Sequence, residues 1–240
     1  MSRVAIVTGG SAGIGKAICH HLLDAGYDVV SLARRGADFT HPKLHSIEVD
    51  LSDAAATREA AEHVTQRFEV STLVHNAGVI RPALLPEVSL DDLAALSHLH
   101  LGAAITLAQA ALPAMKAQGF GRIMLISSRA ALGLATRTAY SATKAGMLGM
   151  ARTWALELGP YGITSNVVAP GPIQTDMFHE VIPEGSPKVA QIAAGIPVKR
   201  LGQADDVARA VMFFAAPENS FVTGQVLYVC GGTSVGSLAL

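Results

Sequence analysis

Four residues in the middle of the chain, Ser127, Ser128, Tyr140 and Lys144, have the types and spacing that proton transfer to an oxygen would need. Tyr140 and Lys144 stand four apart in a helix pattern, so both side chains fall on one face. A tyrosine titrates near ~10 in water and is a poor acid or base at neutral pH. An ammonium held beside it favours the phenolate, and a shift of about three units would be worth roughly 4 kcal/mol. A plain tyrosine–lysine pair on an amphipathic helix is the bland alternative. It loses ground because two serines end the preceding strand pattern and because a second group opens the chain. Val4 to Gly15 reads VAIVTGGSAGIG, an apolar stretch that runs into Gly9, Gly13 and Gly15. Glycines there permit a tight turn and let a bulky ligand approach the backbone. The helix that follows offers unpaired N–H groups and a positive dipole end to a pyrophosphate. The spacing is Thr-Gly-x-x-x-Gly-x-Gly, not the Gly-x-Gly-x-x-Gly of the longer dinucleotide fingerprint.

The elements that must position these groups alternate along the chain. Strand patterns are read at Val4–Val7, Asp28–Ala33, Leu44–Val49, Ser71–His75, Arg122–Ile126, Ile163–Ala169 and Gln225–Val229. Helix patterns follow the first turn and cover about Asp53–Phe68, Ser89–Gln118, Thr138–Leu158 and Asp205–Ala215. Ser89 with Asp92 makes a helix-start signal, and Pro113 predicts a bend in the long helix. This alternation predicts one α/β domain over residues 1–240, a doubly wound parallel sheet of Rossmann type. Ligands bind such sheets beyond the carboxyl ends of the strands, so Arg34, Asp50, Asn76 and Ser128 should converge on one edge. Residues 176–199 carry Met177, Phe178, Val181, Ile182, Ile192 and Ile196 among prolines and glycines, and read as a small lid.

Composition narrows the function classes. A net charge of −1 supplies no basic field, so nucleic acid is not an expected partner. Cys19 and Cys230 are isolated thiols, which excludes a disulfide scaffold and fits a reducing compartment. The opening MSRVAIVTGG enters a strand at once and leaves no room for a signal peptide. The most apolar helix stretch, Gly102–Met115, reads as too short and too polar to span a bilayer. The expectation is a soluble cytoplasmic protein with no membrane partner. The histidines at 20, 21, 41 and 45 lack carboxylate or thiol company at ligand spacing, so no metal site is expected.

Taken together, Thr8-Gly-x-x-x-Gly-x-Gly15, Asn76-Ala77-Gly78, Ser128, Tyr140-x-x-x-Lys144 and Pro170-Gly171 followed by Thr175 fall in a known order. On these motifs the sequence resembles the short-chain dehydrogenases/reductases, in the branch that contains the 3-oxoacyl-carrier-protein reductases. The resemblance spans essentially the whole chain. It implies a nicotinamide-dependent oxidoreductase with Tyr140 as proton donor or acceptor and a serine holding the substrate carbonyl. Lys144 would lower the tyrosine pKa and bind the nicotinamide ribose. The turn at Gly9, Ser11, Gly13, Ile14 and Gly15 would hold the cofactor, with Asp50 and Leu51 near the adenine. Asn76, Ala77 and Gly78 would pack along it; Pro170, Gly171, Ile173 and Thr175 would reach the carboxamide.

Several readings go beyond the motifs. Ser128 aligns when the strand before it is matched to the family, whereas Ser127 keeps a spacing of thirteen to Tyr140. Adjacent strand-end residues face opposite ways, so only one can serve. Ser128 is preferred, because a one-residue shortening fits more easily in the loop. His75 replaces an Asn common in relatives, a small change at a strand end. His100 occupies the position of the Asn that completes the family's tetrad, and takes either a proton-relay role or a place as a polar residue on a partly exposed helix. At the end of the second strand, Ala33 followed by Arg34 and Arg35 favours NADP(H) over NAD(H), since a guanidinium matches a phosphate. A small-molecule carbonyl or secondary alcohol is the expected substrate. Reduction of 3-oxoacyl thioesters and a non-catalytic dinucleotide sensor are the rivals. A homotetramer is expected from the resemblance and from long helices with apolar residues on more than one face.

Overall fold

Side chains alternate across a strand, and in this chain both sets are apolar. Val4 and Ile6 of β1 (Val4–Thr8) enter one core, while Ala5 and Val7 enter the other. The same division holds in β2 (Asp28–Ala33), β4 (Val70–His75), β5 (Gly121–Ile126) and β6 (Ile163–Pro170). With β3 (Leu44–Glu48) and β7 (Val226–Val229) these strands form a seven-stranded sheet in the order β3-β2-β1-β4-β5-β6-β7. Every pairing is parallel. The computed structural model describes residues 3–235; Met1 and Ser2, part of the chain start on which the signal-peptide reading rests, lie outside them.

Helices cover both faces. On one side α1 (Gly13–Asp24) packs against α8 (Ala204–Ala215). On the other lie α2 (Ala54–Arg67), α4 (Ala103–Gln118) and α5 (Thr138–Leu158), with α3 (Leu90–Ser97) packed on α5. Asp53 caps α2 through its carboxylate, and Ser89 caps α3 by accepting from the N–H groups of Asp91 and Asp92. The segment at 176–199 forms α6 (Asp176–Val181) and α7 (Pro187–Gly195), with no strand.

The long helix carries a π-helical turn at His98–Gly102 that the sequence does not signal, and Pro113 sits inside α4. Residues 90–118 also form one stretch that is long and apolar enough to cross a membrane, longer than the 102–115 segment read from the sequence. Leu96, Leu99, Ala103, Leu107, Ala111 and Met115 along it are buried in the protein core.

Candidate active site

Strand order reverses between β1 and its neighbours β2 and β4, and there the glycine turn lies. Gly9 and Gly13 adopt left-handed backbone, with φ of 67° and 52°. Gly15 allows no substitution: a Cβ would sit 2.1 Å from the Gly9 carbonyl oxygen. Ala12 stands at the N-cap of α1 and offers no side-chain cap, so the first N–H groups of the helix are left for a ligand. A crevice runs from this turn past Arg34, Arg35, Asp50, Leu51 and Asn76 to Val79. These features fit a dinucleotide: a backbone cradle for pyrophosphate at one end and guanidinium groups at the other. Arg34 and Arg35 are exposed, and neither pairs with a carboxylate among the described residues. Asp50 accepts from the Ser52 backbone N–H and hydroxyl at 2.9 and 2.7 Å, bonds that hold its carboxyl below the usual range.

A second cavity of about 550 Å³ adjoins the crevice and shares Ile14, Asn76, Gly78 and Thr175 with it. Ser128, Tyr140 and Lys144 line it, as do Pro170, Gly171 and Ile173. The two serines diverge as strand geometry requires. Ser127 is buried and donates to the Lys144 backbone carbonyl at 2.7 Å, which ties β5 to α5. Ser128 lines the cavity close enough to the Tyr140 phenol to lower its pKa.

Lys144 is buried and donates to the Ile126 carbonyl at 2.8 Å. Burial pushes its pKa down to about 7. Its nitrogen lies 5.7 Å from the centroid of the Tyr140 ring. Burial raises the phenol pKa, against the lowering influence of the Ser128 hydroxyl and the Arg137 charge. Lys144 is not among the groups that lower the phenol pKa in the protein without cofactor. Desolvation outweighs the charges near the phenol, and the phenol stays protonated.

His100 is not a polar residue on a partly exposed helix. It is fully buried, edge-on to Tyr140 with ring centroids 5.7 Å apart. The Val79 N–H points at its Nε2 at 3.3 Å, so that nitrogen is the acceptor and Nδ1 carries the hydrogen toward the Thr143 hydroxyl at 2.8 Å. A Cβ at Gly78 would lie 2.9 Å from His100 Nε2 and 3.3 Å from Lys144 Nζ, so both nitrogens face the gap that glycine leaves. Burial and the Lys144 charge push the His100 pKa down to about 2.

His75 is also more than a change at a strand end. The Thr8 hydroxyl accepts from the N–H groups of Asn76 and Ala77, both at 2.9 Å. Its single proton then goes to His75 Nδ1 at 3.2 Å, which leaves Nε2–H to donate to the Leu99 carbonyl at 3.1 Å. The His100 carbonyl also faces this imidazole. A neutral His75, its pKa pushed down to about 3 by burial, thus links β1 and β4 to the π-helical turn. Among the described residues no group of three or more histidine, cysteine or acidic side chains could hold a metal ion.

A parallel α/β sheet with a dinucleotide cradle joined to a Ser-Tyr-Lys cavity defines an oxidoreductase class, and the comparisons name its family. A family model described as enoyl-(acyl carrier protein) reductase matches residues 9–234. The 3-oxoacyl-[acyl-carrier-protein] reductase FabG of Salmonella typhimurium is 36% identical over 238 residues, 96% of each chain. A solved structure described as a putative NAD(P)-dependent gluconate 5-dehydrogenase of Beutenbergia cavernae, with bound NADP, is 33% identical. It superposes with a TM-score of 0.88 over 98% of this chain and 97% of its own. ElxO with NADP bound is 28% identical, with a TM-score of 0.91 over 98% and 100%. The chain belongs to the short-chain dehydrogenase/reductase family, in the branch that includes the 3-oxoacyl-carrier-protein reductases, and is an oxidoreductase.

Proposed function

We propose that this single-domain protein is an NADP(H)-dependent reductase of small carbonyl compounds, or a dehydrogenase of the corresponding secondary alcohols. The observation that carries the reading is the meeting of Ser128, Tyr140 and Lys144 on a cavity continuous with the glycine turn. When bound, the nicotinamide supplies or removes the hydride. The Ser128 hydroxyl holds the carbonyl oxygen, and Tyr140, protonated in this environment, delivers its proton to that oxygen. Lys144 holds the cofactor ribose and re-protonates the tyrosine. His100, neutral and bonded at both ring nitrogens, faces the same gap as Lys144 and positions the lysine there. Bound NADP in similar structures and the unpaired Arg34 support a phosphorylated cofactor.

The similarity to FabG favours a second reading, 3-oxoacyl thioester reduction. That reaction calls for a basic surface by the lid to receive an acidic carrier protein. On the lid side Arg200 pairs with Asp206, while Lys188 and Lys199 have no ion pair among the described residues and make only a thin version of such a surface. Small carbonyl compounds are therefore preferred. The test is NADPH oxidation against aliphatic, aromatic and thioester carbonyls, with NADPH affinity measured in parallel. Turnover of a ketone supports the proposal, turnover of thioesters alone supports the second reading, and tight NADPH binding without turnover supports a sensor.

A further inference from the structure

The cavity that holds Ser128 and Tyr140 is lined by apolar side chains and by Arg129 and Arg137, and among the described residues by no aspartate or glutamate. Among the described residues neither arginine has a carboxylate within ion-pair distance, whereas Arg81, Arg200 and Arg209 each pair with an aspartate. Both are half-buried, where an uncompensated charge is costly unless something is to meet it. Their bonds hold them in place without using up their donors. Arg129 Nε donates to the Thr233 carbonyl at 3.3 Å, which leaves both terminal nitrogens without a partner among the described residues. Arg137 uses Nη1 alone, toward the carbonyl and hydroxyl of Thr136.

The backbone that aims Arg137 is itself constrained. Thr136 is left-handed, with φ of 66°, a strained state for a β-branched residue. It is held there by the Ala83 N–H, which donates to its carbonyl at 3.0 Å, and by a bridge between Ala83 and Arg137. Both arginines line the cavity that holds the reacting hydroxyls. Arg129 follows Ser128 directly, and Arg137 lies one helical turn before Tyr140, close enough for its charge to act on the phenol.

We infer that the substrate is a keto acid or hydroxy acid whose carboxylate is held by Arg129 and Arg137 while its apolar body lies against the lid. This rests on the carbonyl-reductase reading of the same cavity and names the class of substrate. The apolar wall formed by Met177, Phe178, Val181, Ile182, Ile192 and Ile196 supplies the other half of an amphipathic site. A planar guanidinium fork matches a carboxylate in two-point geometry.

The test compares 2-oxo-, 4-oxo- and 5-oxo-octanoate with their methyl esters, using wild type and Arg129→Gln/Arg137→Gln. At least one acid should exceed its ester in kcat/KM by on the order of ten- to a hundredfold in wild type, from one or two charge-assisted bonds. In the double variant that ratio should fall to about one, with NADPH affinity retained as the check on folding. Without turnover, octanoate should bind wild type at least about tenfold more tightly than octanamide, a margin the double variant loses. Esters reduced as well as acids, or a ratio the double variant leaves intact, would overturn the inference while leaving the carbonyl-reductase reading standing. If neither acids nor esters turn over, that reading fails, and the octanoate comparison still decides whether the arginines bind a carboxylate.

Discussion

His75 and His100 carry no net charge in this protein, and each ring nitrogen has an assigned direction because its neighbours leave one choice. The sequence signals neither role. His75 reads as a substitution at a strand end, since nothing in its local pattern announces that the Thr8 hydroxyl faces it 67 residues away. Tyr140 and Lys144 are legible because their partnership is local, one turn apart on a helix. For the serines, strand alternation says only that one of the two can serve, and the choice of Ser128 rests on the loop length. Thr143, Arg129 and Arg137 are missed, as they are ordinary residues until the loops converge. Gly78→Ala tests the close packing between His100 and Lys144. Its Cβ would enter the gap at 2.9 Å from one nitrogen and 3.3 Å from the other. Steady-state kinetics should show kcat/KM down at least about tenfold, as displaced groups in an active site commonly cost. Near-wild-type activity would show that the gap has no part in turnover.

At the scale of elements, strands are the most legible part, because burial on both faces leaves runs of Val, Ile and Leu that no other element explains. The π-helical turn at His98–Gly102 is not legible. It lies where α3 packs on α5 while α4 packs on β4 and β5, and where the Leu99 carbonyl accepts from His75. The end of β2 carries a sharper test. An NADPH phosphate bears about two negative charges, and a charge-assisted bond to Arg34 is worth roughly 1.5 to 3 kcal/mol. Ala33 offers no acid to bind NADH ribose in compensation. Wild type should prefer NADPH by on the order of ten- to a hundredfold in kcat/KM, and Ala33→Asp/Arg34→Ala should reverse or erase that preference. An NADH preference in wild type would remove Arg34 from its role.

Over the whole molecule, the buried histidines make the fold sensitive to acid. Their native pKa values, about 3 for His75 and about 2 for His100, lie below the unfolded value near 6.5. The unfolded chain then binds protons that the native state refuses, so the histidine contribution to stability is fully present above about pH 7 and is lost as pH drops below ~6.5. Two such groups cost up to about 2.7 kcal/mol per pH unit, and urea unfolding between pH 6 and 5 should show a slope of roughly that size. His75→Asn/His100→Asn should flatten it; an unchanged slope would mean that the histidines titrate normally. Exposed apolar residues such as Ile105, Leu156, Phe213, Phe221 and Leu227 leave faces for partner copies. Light scattering at micromolar concentration should give the mass of four chains, and a single monomer peak would refute that assembly. The account turns most on the Tyr140 phenol, and Tyr140→Phe removes that proton while keeping the ring in place. NADPH-dependent ketone reduction by this variant should fall by at least about a hundredfold, with NADPH affinity within a few-fold of wild type. Activity retained within tenfold would mean that the proton comes from another group and that the site has been misread.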